Sequence, residues 1–198
     1  MIRKLLSRYI ISSKYNCIFD KYKLKKYKFK YIGENVRIGN GFKFGNTQNL
    51  IIQNDVFISE QCYIDAVADI VIKSGTMIGP RFTCISSNHY YDGKDLEAIP
   101  FDNKIYLDKV IIEENVWIGA NVSVCPGVTI GEGAVIAMGV TVFKDVPPLS
   151  IVIGNSMTIN KNRNKEKYYK LKEKKSIYNK LFKYQDKIYI KGKKDGKR

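Results

Sequence analysis

The sequence predicts an all-β fold: a parallel β-helix, with one loop extruded at about residues 86–109 and an α-helical extension at the C-terminal side. Three observations carry this. Aliphatic residues recur every six positions over 112–148, the same beat reaches back to Ile32, and it breaks off only once at length.

The stretch from Ile112 to Pro148 is the clearest. Ile112, Ile118, Val124, Ile130, Ile136 and Val142 open its blocks of six, and Val116, Val122, Val128, Ala134, Val140 and Val146 hold the fifth places. A helix turns every 3.6 residues and would smear that row around its cylinder. A flat strand repeats at two, so a period of six needs a strand that bends at regular intervals, as one side of a triangular coil. Three such sides, eighteen residues, close a coil, and each first-place residue then stacks on the one a coil earlier. Each coil buries its apolar face only against its neighbours.

Upstream, the beat runs through Ile32, Ile38 and Phe44, slips by two residues at Asn49-Leu50, and resumes at Ile52, Ile58 and Ile64. A second slip of two precedes Ile72 and Ile78. Gly and Asn at the corners supply the positive-φ conformations that tight turns demand. Residues 86–109, SSNHYYDGKDLEAIPFDNKIYLDK, then carry no hexad, and a long irregular insertion in a regular solenoid points to function. The beat returns at Val110 and closes near Pro147-Pro148, followed by the extended piece Ser150-IVIGN.

The flanks differ from this body. The chain of 198 residues carries a net charge of +15, but residues 32–160 sum to −6, against +9 for 1–31 and +12 for 161–198. Three segments follow: a basic N-terminal cap at 1–31, the β-helix at 32–160, and a lysine-rich helix and tail at 161–198. Tyr27, Phe29 and Tyr31 alternate with Lys28 and Lys30, a strand pattern whose aromatic face would cover the open end of the solenoid. An amphipathic helix is expected over about 165–184, packed on the solenoid or on a neighbouring subunit. The N-terminal MIRKLLSRYIISSKYN reads as a short helix or hairpin, neither signal peptide nor membrane span. Basic ends are either solvated surface or a means of attraction to a polyanion, a membrane or an anionic ligand.

The four cysteines, Cys17, Cys62, Cys84 and Cys125, form no CxxC and no cluster with histidine, so no metal is expected, and they read as reduced small hydrophobes. The single histidine, His89, stands beside Asn88 in the irregular loop. Imidazole titrates near neutrality and suits a general base acting on a hydroxyl or amine. No Gly-x-Ser-x-Gly elbow supports a serine nucleophile, while a cysteine paired with His89 stays open at this stage. The single tryptophan, Trp117, falls just before a corner, which turns it outward as a subunit or substrate contact.

The hexads, the run NVWIGANVSVCPGVTIGEGAVIAMGVTVFKDVPP, the loop with its one histidine and the closing IGN segment resemble the hexapeptide-repeat acyltransferases over residues 30–163. Among these the chain is similar to maltose and galactoside acetyltransferases and to O-acetyltransferases of capsule and lipopolysaccharide sugars. The resemblance implies a left-handed coil, a homotrimer, and acetyl-CoA as acyl donor lying between neighbouring prisms. It implies His89 as general base, with Trp117, Asn88 and Asp65 at the acceptor. The main chain at Gly119, Ala120, Met138 and Gly139 would line the pantetheine arm, with backbone N–H groups stabilising the oxyanion. Lys144, Lys161 and Arg163 would meet the CoA phosphates. Where the family reads Gly-Asn-Pro and then a basic residue, this chain has Gly154-Asn155-Ser156 and Thr158. No helical domain of the serine acetyltransferase kind is expected before the repeats, which argues against serine as acceptor, and the zinc carbonic anhydrases of this fold need three histidines where this sequence has one.

The expectation is therefore a cytoplasmic acetyl-CoA-dependent O-acetyltransferase acting on a sugar hydroxyl of a surface polysaccharide or lipopolysaccharide. The acceptor would be a sugar or polysaccharide, with peripheral contact at an anionic membrane and no nucleic acid. Its rivals are an antibiotic O-acetyltransferase and a non-catalytic solenoid that binds polyanions or membrane through its basic ends.

Overall fold

A computed structural model of the chain describes residues 26–89, 103–154, 158–162 and 165–175. The body is a three-sided prism of parallel strands. The first face is built by Tyr31–Ile32, Leu50–Ile52, Ile70–Ile72, Val110–Ile112 and Thr129–Ile130. The second contains Arg37–Ile38, Phe57–Ile58, Met77–Ile78, Trp117–Ile118, Val135–Ile136 and Ser150–Ile153, and the third Lys43–Gly45, Tyr63–Asp65, Thr83–Ile85, Ser123–Val124 and Thr141–Val142. First-place residues point inward and stack coil on coil: Ile38, Ile58, Ile78, Ile118, Ile136 and Val152 under the second face, all buried. Fifth-place Val56, Val116, Val122, Ala134 and Val140 fill the corners of the interior. Cys84 occupies a first place itself, between Ile64 and Val124 in the third-face column.

The expected eighteen-residue coil holds only above the inserted loop, where Ile112 pairs with Ile130, Ile118 with Ile136 and Val124 with Val142. Below it the coils take twenty, as in Ile32, Ile52 and Ile72. The two extra residues are the two slips in the beat, and both fall where the third face turns into the first. The uppermost coil is shortened to sixteen, with Val146 beside Ile130 and Val152 beside Ile136.

Each edge of the prism has its own chemistry. Where the second face meets the third, Gly41, Gln61, Arg81, Asn121 and Gly139 all take positive φ at one level of successive coils. This is called the glycine edge below. Where the third face meets the first, the inserted loop leaves the prism; this is the arm edge. Where the first meets the second, Asn35, Asp55, Gly75, Asn115, Gly133 and Leu149 take positive φ, and helix α1 (Lys165–Glu173) docks there: the helix edge. Asn and Gly adopt this region readily, whereas Gln61, Arg81 and Leu149 are held in it by the coil around them.

Helix α1 ends at Glu173 in a turn at Lys174 and Lys175, with Lys175 at φ 51, and the rest of the expected run, 176–184, lies outside the described residues. It packs on its own solenoid. Tyr168 is 8 % exposed, its ring sits against Gly133 and Leu149, and its hydroxyl donates to Glu132 Oε1 at 2.8 Å and accepts from Asn115 Nδ2 at 3.2 Å. Lys172 pairs with the same Glu132 and lies 3.6 Å from Glu114. Burial pushes the Glu132 carboxyl upward, but the hydrogen bonds from Lys172 and Tyr168 and the charges of Lys172 and Lys73 outweigh it and hold the group below the usual carboxylate range.

The ends are closed differently. Tyr27 and Phe29 pack on Phe42 and Phe44 with ring centroids 4.8–6.1 Å apart across the cluster, covering the lower coil as the aromatic pattern suggested. The strand itself starts only at Tyr31, which is half exposed on the outside of the first face. At the top the chain turns at Gly154, φ 81, and Thr158–Asn162 runs back antiparallel to Ser150–Ile153. The helix or hairpin expected before residue 26, and the chain beyond 175, lie outside the described residues. Among the described residues no helix is long and apolar enough to cross a membrane.

Candidate active site

His89 stands on an arm. Ser87–His89 and Ile105–Leu107 form an antiparallel pair separate from the three faces, with His89 opposite Ile105 and Asn88 opposite Tyr106. Alternation puts Ser87, His89, Ile105 and Leu107 on one side of this ribbon and Asn88 and Tyr106 on the other. His89, Asn88 and all of Ile105–Leu107 are exposed, and Asn88 Oδ1 accepts the His89 backbone N–H at 2.9 Å. The arm therefore carries an imidazole into solvent beside two aliphatic side chains. Residues 90–102 lie outside the described ones.

Asp65 ends a third-face strand at the root of that arm. Its carboxylate accepts from Asn46 Nδ2 at 2.7 Å and from the Tyr63 hydroxyl at 3.4 Å. It lies over Gly45, where an added Cβ would come within 2.3 Å of Asp65 Oδ1. Burial, then the charge and hydrogen bond of Asp65, push the Tyr63 hydroxyl up from its usual value of 10.0. Lys144, exposed, follows the third-face strand three coils above Asp65, at the same arm edge.

The other candidates lie across the third face. Trp117 points out of the second face between Met77 and Val135 and is 59 % exposed. At the glycine edge an added Cβ on Gly119 would meet Met138 N at 2.6 Å, and on Gly79 the Gly119 carbonyl carbon at 2.7 Å, so backbone lies directly on backbone. Met138 is 70 % exposed, and beyond Gly139 there is open space for 4 Å. The edge thus offers bare main chain and an apolar thioether, a shape that fits a narrow amide-bearing chain. The Gly119 N–H donates to Ile136 O at 2.8 Å and the Gly139 N–H to Ala120 O at 2.9 Å, so both are spent within the coil. Lys161 sits in the returning strand opposite Ile151, at the top of the Trp117 face, and Arg163 lies outside the described residues.

The predicted residues therefore fall into two groups. Asp65, Asn88, His89 and Lys144 belong to the arm edge, and Trp117, Gly119, Ala120, Met138 and Gly139 to the second face and glycine edge. The third face of the same prism separates them.

Two thiols leave the list of nucleophiles. Burial pushes Cys62 up to about 11 and raises Cys84 further, so both stay protonated at neutral pH and inert. An open groove of about 430 Å³ near the top of the first face is lined by Glu113, Glu132 and Asp145, the wrong sign for an anionic donor. Among the described residues no three His, Cys, Asp or Glu side chains converge as metal ligands. Sequence reasoning missed Ser86 and Asp108, which root the arm, because they lie just outside the hexads.

A family profile, the hexapeptide repeat of succinyl-transferase, matches residues 109–144. Among solved structures, a hexapeptide-repeat-containing acetyltransferase of Vibrio cholerae O1 biovar eltor, complexed with acetyl coenzyme A, is 26% identical with a TM-score of 0.64 over 81% of this chain and 83% of its own. A galactoside acetyltransferase in complex with coenzyme A is 25% identical with a TM-score of 0.67, over 84% of this chain and 80% of its own. A maltose O-acetyltransferase from Clostridium difficile 630 is 26% identical with a TM-score of 0.64, over 82% and 84%. Repeat, prism and fold neighbours together make the chain similar to the hexapeptide-repeat acetyltransferases and support an acyltransferase activity. The galactoside and maltose acetyltransferases are among the structures it resembles.

Proposed function

We propose that the protein is an acetyl-CoA-dependent O-acetyltransferase acting on a sugar hydroxyl, of a surface polysaccharide or lipopolysaccharide, and that it works as a homotrimer. The observation that carries this reading is the division of the site. The arm edge with His89 and the glycine edge are separated by the third face of one prism, and two prisms set side by side would bring the arm of one to the groove of the next. Relatives solved with acetyl-CoA or CoA support the donor, and the maltose and galactoside enzymes support a sugar acceptor.

Acetyl-CoA, as substrate, supplies an activated acetyl thioester. Gly119, Ala120, Met138 and Gly139 would line its pantetheine arm, beside Trp117, with Lys144, Lys161 and Arg163 toward its phosphates. His89 takes the proton from the acceptor hydroxyl as that oxygen bonds to the acetyl carbon, and returns it to the sulfur as the carbon–sulfur bond breaks. Asp65 and Asn88 hold neighbouring hydroxyls of the acceptor. The excess positive charge of the two ends fits an acidic polysaccharide or the anionic inner face of a membrane.

The test is His89→Ala. Acceptor-dependent release of thiol from acetyl-CoA should fall by about 10²–10⁴-fold, while CoA binding by calorimetry, the sedimentation mass and the melting temperature stay as in wild type. Retention of most of the activity removes His89 from the mechanism. A wild-type chain that binds no CoA removes the reading altogether, and an acceptor screen of sugars, polysaccharides and antibiotics, read by mass spectrometry, identifies the hydroxyl.

A further inference from the structure

The irregular features of the prism stack on one edge. In the lowest coil the first slip is a 3-10 turn, Thr47–Asn49; one coil up the second slip fills the corner between Asp65 and Ile70; above that the arm departs. These three corners are joined by hydrogen bonds that no repeat requires. Asn49 Nδ2 donates to the carbonyls of Ala66 at 3.0 Å and Val67 at 2.9 Å. Ser86, fully buried, donates through Oγ to Ala68 O at 2.8 Å and accepts the Ala68 N–H at 2.9 Å. Its own N–H reaches Asp65 O at 3.2 Å. Its carbonyl accepts the Asp108 N–H at 3.0 Å, closing the root of the arm, and Asp108 O accepts the Gly127 N–H of the coil above at 3.4 Å. Gly127, at φ 83, makes the room: an added Cβ would meet Asp108 Oδ2 at 2.6 Å.

We propose that this polar column positions His89, with Ser86 as its pin and Asn49 as the support beneath. The inference rests on His89 being the base. A ribbon of two three-residue strands, exposed on its apolar side chains, is too small to fix its own direction in water. Its root, three residues before the imidazole, is where the described hydrogen bonds give it a direction. There a single hydroxyl accepts the Ala68 N–H and points its one proton at Ala68 O, with Asp65 O a second, longer acceptor at 3.3 Å, which holds its rotamer. The extra residues of the second slip exist to present that Ala68 main chain at the right height. Ser86 and Asn49 touch no substrate; they act through the arm, and an error of about 1 Å at a reacting group costs on the order of a hundredfold in rate.

Two measurements on the full chain test this, comparing wild type, Ser86→Ala, Ser86→Cys and Asn49→Ala. The first is amide hydrogen exchange. Ser86→Ala should speed exchange at 87–89 and 105–107 by about tenfold or more while the strands at 117–118 and 135–136 stay protected. Unchanged exchange in the arm, or a uniform rise across the prism, overturns the pin. The second is thiol release from acetyl-CoA with maltose or a galactoside as acceptor probe, well below the melting temperature. Ser86→Ala should lower kcat about tenfold or more with KM for acetyl-CoA within about twofold, Ser86→Cys should recover part of it, and Asn49→Ala should follow in the same direction. Wild-type kcat in Ser86→Ala overturns the inference and leaves acetyl transfer standing. A wild-type chain inactive on every sugar removes acetyl transfer, and the exchange result still decides whether Ser86 pins the arm.

Discussion

Glu132 shows how much a single side chain organises. Tyr168 and Lys172 of helix α1 both reach it, and those contacts hold its carboxyl below the ordinary 4.5 despite burial. A carboxyl depressed in this way favours the docked helix fully above pH 4.5, and that contribution is lost as pH falls through the lower, docked value. Lys172 is raised from 10.5, chiefly by its hydrogen bond to Glu132, so its share is present below 10.5 and fades as pH climbs past it. Helix α1 should therefore loosen in acid before the prism melts, seen as faster amide exchange at 165–175 with 117–118 still protected. Tyr168→Phe removes a hydroxyl that joins Glu132 and Asn115 and should weaken docking by about 1 kcal/mol at neutral pH, measured by the same exchange.

At the scale of the element, the coil depends on glycines where backbone crosses backbone. Gly119→Ala drives a methyl against the main chain of Met138, which has no flexible end to yield. We expect a loss of about 1–3 kcal/mol on thermal melting together with weaker CoA binding. Gly139→Ala meets nothing within 4 Å but keeps φ 76, so its cost is smaller, about 1 kcal/mol of backbone strain. This is also the scale at which the sequence was most informative. Hexads such as Ile112 to Val142 name the inward column directly, because one period serves every coil. The two slips were visible as missing beats, yet their meaning was not, since it lies in contacts to residues one coil away, such as Ser86 to Ala68. The arm was visible as an interruption, and His89 as the single histidine of the sequence. That His89 and Gly119 occupy different edges follows only from counting strands around the prism, and no pattern of composition encodes it. Helix α1 was expected from its spacing, but its stop at Glu173 is local, set by the turn at Lys174 and Lys175.

For the molecule as a whole, the stacking rule that builds the prism contains no instruction to stop. Every coil presents the next with an open row of amides and carbonyls, and a second molecule could take the place of the next coil as readily as the chain itself. The turn at Gly154 answers this: the strand at 158–162 runs in the opposite sense, so the rim it leaves does not template another parallel layer. At the far rim Tyr27 and Phe29 block by bulk. Among the described residues the two rims are thus covered by unlike means, a reversed strand on the second face and aromatic bulk below. Breaking the upper one with Ile159→Pro, which puts a ring in a strand paired with Val152, should turn a finite particle into fibrils that scatter light and lengthen with concentration.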